Sequence, residues 1–391
     1  MNICFITYWS IKEGLAQATV LPHLKILAEF EKVKSIQFIS MERQGPIIEL
    51  DLPKVVHHPV YSSESSRDKL TDNVKSRRLL NRLHDERTID LVMARGVMAA
   101  WLSLKFVKQN QVPFSIESFE PHADYMVEDG VWNRFGLRYR VLSNAEKAEK
   151  KMANFLLPVT EAYRQKLIKT EGIDSAKILT MPCCVDVNRF QFNEGLRAIV
   201  RTKIGIHQNT IVGIYTGKIG GIYLKDEAIS LIKLAQEHYG AERFYLIILS
   251  PDVQTWNEVL SQAGFEKNQY HIGFVDLSEV GAYLSAADFA FSLHRPSPSK
   301  IGISPIKNGE YFANGLPVIM PTGIGDDSEI VENEKLGTSI PDFSKMDRSV
   351  FEPIDALMKL DRNNSPIAVW AFKHRSFEIV RHNYGHILEA I

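Results

Sequence analysis

The chain has 391 residues, too many for one ordinary core and suited to two domains of roughly 180 residues each. Its hydrophobic content of 45% and charged content of 24% are those of a globular protein, and a net charge of −1 supplies no global attraction to nucleic acid or membrane. Three cysteines, Cys4, Cys183 and Cys184, form neither a disulfide framework nor a metal spacing, so a reducing, cytoplasmic setting is expected.

Residues 1–9 hold a short apolar run without a basic leader, so no signal peptide is expected. No run reaches the ~18 apolar residues of a spanning helix, and any membrane contact would be peripheral. Ile3–Tyr8 reads as a buried strand, followed by a loop to Gln17 and a helix over Ala18–Phe30. That loop lacks the G-x-G-x-x-G pattern of nicotinamide and flavin sites. Further strands are predicted at Ser35–Ser40, Leu91–Ala94, Phe114–Ser118 and Phe155–Pro158, with a helix over Ala99–Gln109. The alternation implies a doubly wound parallel sheet.

Asn73–Arg87 is a basic helical stretch that reads either as a solvated face or as a surface for anionic lipid or a phosphorylated acceptor. After the strand at Phe114 comes a dense polar cluster: Glu117, Glu120, His122, Asp124 and, a little later, Glu128. It suits helix-capping carboxylates or, with Phe119, Tyr125 and Trp132 beside it, partly buried acid–base groups with shifted pKa values. Arg95 and Gly96 would face the same place.

A strand is predicted at Lys177–Thr180 and a domain boundary near residue 190, with Cys183 and Cys184 as packing residues. A basic helical segment runs over Arg197–Gly205. The expected division is 1–189, 190–365 and a helical tail, 366–391. The second half restarts with a strand at Ile211–Gly217, followed by Lys218, Gly220, Gly221 and Lys225 before a helix over Asp226–Glu237. Glycines let the backbone approach a phosphate, and a helix start adds free N–H groups. Strands at Phe244–Leu249 and His271–Val275, a helix over Leu277–Ala287 and a strand at Phe289–Leu293 complete the alternation. A polar loop then leads to a helix carrying Lys307 and Glu310, stopped by Gly315, and to an apolar run over Leu316–Met320.

Ser304–Ile319 resembles the S-P-x-K-x-x-E-Y-x-A-x-G-x-P-V segment of the retaining GT-B glycosyltransferases, in particular the group 1 (family 4) set that builds bacterial surface polysaccharides. Supporting likenesses are Gly217-Lys218 to Lys225, His271–Val275, Ala286–Asp288, Val185–Phe190 and Gly323–Glu329, together spanning most of residues 155–340. The resemblance implies the GT-B architecture: two Rossmann-like domains facing across a cleft, with the tail returning to the first. It further implies that Glu310 holds the ribose hydroxyls of a nucleotide-diphosphate sugar, and that Lys218 and Lys225 neutralise the departing diphosphate. Phe274 and Val275 would meet the base, while Gly217, Ser304, Pro305 and Lys307 would line the phosphate and sugar pocket. Many relatives carry a carboxylate where this chain has Gly302, so sugar contacts fall to Lys300 and the backbone of 302–304. Glu117, Glu120 and His122 share the acceptor-side assignment without a choice among them.

The implied activity is transfer of a sugar, with retention, to a glycan or lipid-linked acceptor. No cofactor or obligatory metal is expected, since no D-x-D motif occurs, and no nucleic-acid partner is expected. The alternatives are a GT-B-fold epimerase and a non-catalytic nucleotide-sugar-binding protein.

Overall fold

The computed structural model describes residues 1–43, 45, 49–62 and 66–391, with the backbone alone for 66–70. It divides into two compact units. One comprises Met1–Cys183, Ile301–Ile303 and Phe377–Ile391; the other comprises Cys184–Lys300 and Ser304–Ser376.

The first unit holds β1 (Asn2–Thr7), β2 (Ser35–Glu42), β3 (Val55–Tyr61), β4 (Leu91–Arg95), β5 (Phe114–Phe119) and β6 (Phe155–Pro158). These form one parallel sheet in the order β3-β2-β1-β4-β5-β6. The centre is β1, whose Ile3, Cys4, Phe5 and Ile6 are fully buried. A strand covered by helices on both faces needs such an unbroken apolar run. The second unit repeats the plan with β7 (Ile211–Thr216), β8 (Phe244–Leu249), β9 (Tyr270–Gly273), β10 (Phe289–Phe291), β11 (Val318–Pro321) and β12 (Gly337–Ile340). Its order is β12-β11-β10-β7-β8-β9. Aromatic rings dominate its core, where Tyr239, Phe244, Phe289 and Phe351 pack on one another.

Three local departures from the sequence reading have physical causes. The helix expected over Ala18–Phe30 is two helices, Gly14–Thr19 and Leu21–Glu29. Pro22 cannot sit inside a helix, but it is tolerated in the first turn of the second one. Lys177–Thr180 is no regular strand: Ser175–Lys177 forms a 3₁₀ turn, and a single bridge joins Ile178 to Leu156 beside β6. The tail is also two helices, Pro366–His374 and Glu378–Ala390, because the backbone of Arg375 and Ser376 is drawn into a bridge with Val185. The first of these helices belongs to the second unit and the other to the first, so the units part at Cys183/Cys184 and Ser376/Phe377.

In each sheet the strand order reverses beside the central strand, between β1 and β4 and between β7 and β10. Loops leaving the carboxyl ends of such neighbours diverge to opposite faces and leave a crevice where ligands bind.

Candidate functional site

In the second unit, the loops after β7 and β10 are stitched together at that crevice. Tyr223 and His294 form an antiparallel bridge, and the N–H groups of Leu224 and Arg295 donate to the carbonyls of Leu293 (2.9 Å) and Ile222 (2.8 Å). The β7 loop turns on glycines, with φ of +130° at Gly217 and +75° at Gly220. The β10 segment passes through a short 3₁₀ turn, Pro298–Gly302, and enters the helix Ile306–Ala313 at Pro305.

Lys307 lies in the first turn of that helix and is buried. Its Nζ sits 4.4 Å from the Tyr223 ring centroid and 4.9 Å from that of Tyr215, within cation–π range. It has no hydrogen-bond partner among the described residues. Burial pulls its pKa down to about 7, with the Glu310 carboxylate acting in the opposite direction. A Cβ at Gly217 would lie 2.6 Å from this Nζ, so the glycine is what lets the ammonium reach the strand end.

Glu310 follows one turn later on the same helix face. It is 7% exposed, and burial pushes its pKa up to about 7 against the charges of Lys307 and Arg189. His294 completes the group. Its Nδ1 is unpartnered among the described residues, and burial with the charges of Lys307 and Lys300 holds its pKa well below the ordinary value.

The frame around these groups is largely engaged, with Asn308 Oδ1 unpartnered among the described residues. The Tyr311 hydroxyl accepts the Thr216 N–H at 2.9 Å and bonds to its Oγ1 at 2.8 Å, locking the helix to the end of β7. Asn308 donates to Asp327 at 2.8 Å; Arg375 pairs with Asp327 and donates to the Ser304 hydroxyl. Ser304 thus anchors the helix start. Lys300 is buried beneath the loop, and its carbonyl accepts the Gly325 N–H at 2.8 Å.

Lys218 and Lys225 are exposed on the β7 loop. The Lys218 carbonyl accepts the Tyr215 hydroxyl at 2.6 Å, and Lys225 stands at the start of the helix Asp226–Tyr239. Phe274, 72% exposed, and Val275 lie just past β9. Sequence reasoning missed Tyr215, Tyr223 and Arg189. The one available signal was an aromatic residue, Tyr223, in a loop rich in glycine and lysine.

In the first unit the acceptor-side candidates separate. Glu117, in β5, is fully buried. It accepts from Arg95 at 2.8 Å and from the Tyr384 hydroxyl, and lies 3.4 Å from His23 Nδ1. Burial alone would raise its pKa, but His23, Arg95 and Tyr384 together turn the shift downward. With both oxygens occupied and no exposed surface, Glu117 is an internal anchor. The chain then kinks at Ser118, a non-glycine residue at φ +50°, with a register shift between Glu117 and Phe119.

That kink turns Glu120 and His122 outward. Their side chains are 27% and 25% exposed and joined by a 2.8 Å bond. Burial works to lower the His122 pKa, but the hydrogen bond and charge of Glu120 outweigh it and the net shift is upward. The pair is an accessible imidazole poised by a carboxylate, the arrangement a proton-transfer or charge-stabilising role needs. Among the described residues, no group of three or more His, Cys, Asp or Glu side chains is placed to hold a metal ion.

No protein-family model and no curated protein sequence matches the chain. Solved structures do. HepE of Anabaena in complex with UDP aligns over 100% of both chains at 14% identity, with a TM-score of 0.71. Sucrose-phosphate synthase of Thermosynechococcus elongatus aligns over 100% of this chain and 98% of its own at 14% identity, with a TM-score of 0.74. WaaG, a glycosyltransferase involved in lipopolysaccharide biosynthesis, aligns over 98% and 95% at 16% identity, with a TM-score of 0.62. The fold is therefore the two-unit α/β fold of the GT-B glycosyltransferases.

Proposed function

We propose that this chain is a retaining glycosyltransferase that moves a hexose from a nucleotide-diphosphate sugar to a glycan or lipid-linked acceptor in surface-polysaccharide synthesis. The observation that carries the reading is the unpaired, buried Lys307 ammonium beside Glu310 at the carboxyl end of β7 and β10. A diphosphate would supply the partner that Lys307 Nζ lacks among the described residues, and ribose hydroxyls would donate to the Glu310 carboxylate. Charge builds on the nucleotide diphosphate as the glycosidic bond breaks, so a fixed cation helps most in the transition state. Lys218 and Lys225, free to swing in from the loop, add to that stabilisation; Phe274 and Val275 offer an apolar rest for the base.

Glu120 and His122 take the acceptor-side role, and Glu117 supports them from below through the strand. Retention rests on the resemblance of Ser304–Ile319 to retaining enzymes. The surface-glycan role, and with it a cytoplasmic location, is favoured by the likeness to WaaG. The UDP complex of HepE makes uridine nucleotides the first to try.

Thermal unfolding with UDP, GDP, ADP and their common sugars tests the donor site, because a ligand of the folded state raises the melting temperature. One nucleotide should give a clear rise, and Glu310→Ala should abolish it. No rise with any nucleotide, or an undiminished rise in the variant, would remove the basis of the reading.

A further inference from the structure

Among the described residues, the two most exposed large apolar side chains of the first unit are Phe135 (81%) and Leu137 (77%), and Val131 (58%) lies close by in sequence. They are held out by design of the turn. Asn133 Oδ1 accepts the Phe135 N–H at 2.8 Å, and the Asn133 carbonyl accepts the Gly136 N–H at 2.9 Å. Trp132 points the other way, onto the unit's core and edge-on to His122.

The helix that follows, Leu137–Met152, sorts its charges by face. Leu137, Arg140, Val141, Asn144, Lys147 and Lys151 are exposed and recur every three or four residues, forming one outer stripe. Its two acids, Glu146 and Glu149, are turned into the interior, and burial raises the pKa of both, Glu146 to about 7. No acidic residue occurs between 130 and 145, where Arg134, Arg138 and Arg140 stand. The exposed face is therefore apolar at its start and cationic along the helix, while Arg134, in the turn before it, lies 4.0 Å from the Asp124 carboxylate.

The basic stretch that the sequence singles out for this purpose is different in kind. In Ser66–Glu86 the side chains described from 71 onward include one exposed large apolar residue, Val74, and Arg82 pairs with Glu86 at 3.7 Å. Among its described side chains that helix presents mixed charge and no cluster of exposed apolar residues.

We propose that the face from Val131 to Lys151 docks on an anionic lipid bilayer. Phe135 and Leu137 enter the headgroup region, while Arg140, Lys147 and Lys151 pair with lipid phosphates. A second copy of the chain fits poorly, because a two-fold contact would bring like-charged stripes together. A water-soluble polyanion would satisfy the cations but leave both apolar side chains in water. The inference does not depend on the reaction the chain performs, since its test reads binding alone.

The full chain is floated with vesicles of phosphatidylcholine, with and without phosphatidylglycerol, at low and moderate salt. Binding should require the anionic lipid and weaken with salt. Phe135→Glu combined with Leu137→Glu should reduce binding more than tenfold, and each of Arg140→Gln and Lys147→Gln by about fivefold. All of these variants should keep the wild-type melting temperature. The proposal is overturned if the wild type does not float. It is equally overturned if the double variant floats as well as the wild type, or if sedimentation shows that the double variant only splits a dimer while vesicle binding persists.

Discussion

The two sheets share one topology, yet the polar clusters near their carboxyl ends are of opposite kinds. In the first unit Glu117, Arg95, His23 and Tyr384 bond to one another inside the protein, leaving one atom, Arg95 Nε, unpartnered among them. In the second, among the described residues, Lys307 Nζ and His294 Nδ1 are buried without hydrogen-bond partners and Glu310 forms no ion pair. An uncompensated buried ion is unfavourable, and the shifts of Lys307 and Glu310 toward neutrality express that. A closed network stabilises a fold; an open one marks where a ligand completes the bonding. The same strand-end position can thus serve either purpose, and the partner count distinguishes them.

The sharpest break of this comparison is Glu117→Ala. Removing one member of a buried, hydrogen-bonded charge set leaves Arg95 uncompensated and should cost about 3–5 kcal/mol, read as a lower urea midpoint. The protein that remains folded should bind nucleotide as the wild type does. Lys307→Met should do the reverse. Nucleotide affinity should fall about a hundredfold, the scale of losing one charge-stabilising group, while the ligand-free melting temperature holds or rises. If Lys307→Met unfolds the protein instead, the two clusters are alike and the contrast fails.

Much of this was legible in the sequence, for stateable reasons. Strands such as Phe244–Leu249 and Phe155–Pro158 are continuous apolar runs, and their bounds are those expected. The second-unit site was legible because Gly217, Lys307 and Glu310 carry chemistry in their residue types. β3 escaped notice because Pro59 lies within it, and proline is tolerated there only because β3 is an edge strand. What could not be read was partnership. Glu117, Glu120 and His122 look equivalent in sequence, and only the kink at Ser118 separates the buried carboxylate from the accessible pair. Likewise, Tyr384 is 267 residues from the carboxylate it holds.

Gly302 offers a smaller test of the same point. Its absent side chain would place a Cβ 2.6 Å from Pro121 Cδ and 3.5 Å from Glu120 Cβ. The glycine is therefore a packing requirement of the segment that carries Glu120, secured further by the Thr160 hydroxyl on the Ile301 carbonyl at 2.6 Å. Gly302→Ala should destabilise by about 1–3 kcal/mol, the usual result of overpacking, measured by urea unfolding. An unchanged midpoint would return the position to the donor sugar.

The mildest perturbation is pH, and its sign follows from the open cluster. Lys307 is lowered from 10.5 to about 7, so the unfolded chain binds more protons than the native one between those values, and this group's contribution to stability improves as pH rises across that window. Glu310 is raised from 4.5 to about 7, so its contribution worsens as pH rises from 4.5 to 7. Nucleotide binding should respond differently, because it needs the ammonium and the carboxylate together. Above pH 7 the free protein loses the Lys307 proton, and affinity should fall about tenfold per unit. Below pH 7 protonation of Glu310 turns one of its two accepting oxygens into a donor and weakens its hold on ribose, and affinity should fall again. Calorimetric titration between pH 5.5 and 8.5, values set about one unit and a half either side of that shared midpoint, should therefore give a bell. Glu310→Gln should flatten its acid limb and leave the alkaline limb in place. A flat profile would mean that neither group meets the ligand, and the second cluster would then be as closed to function as the first.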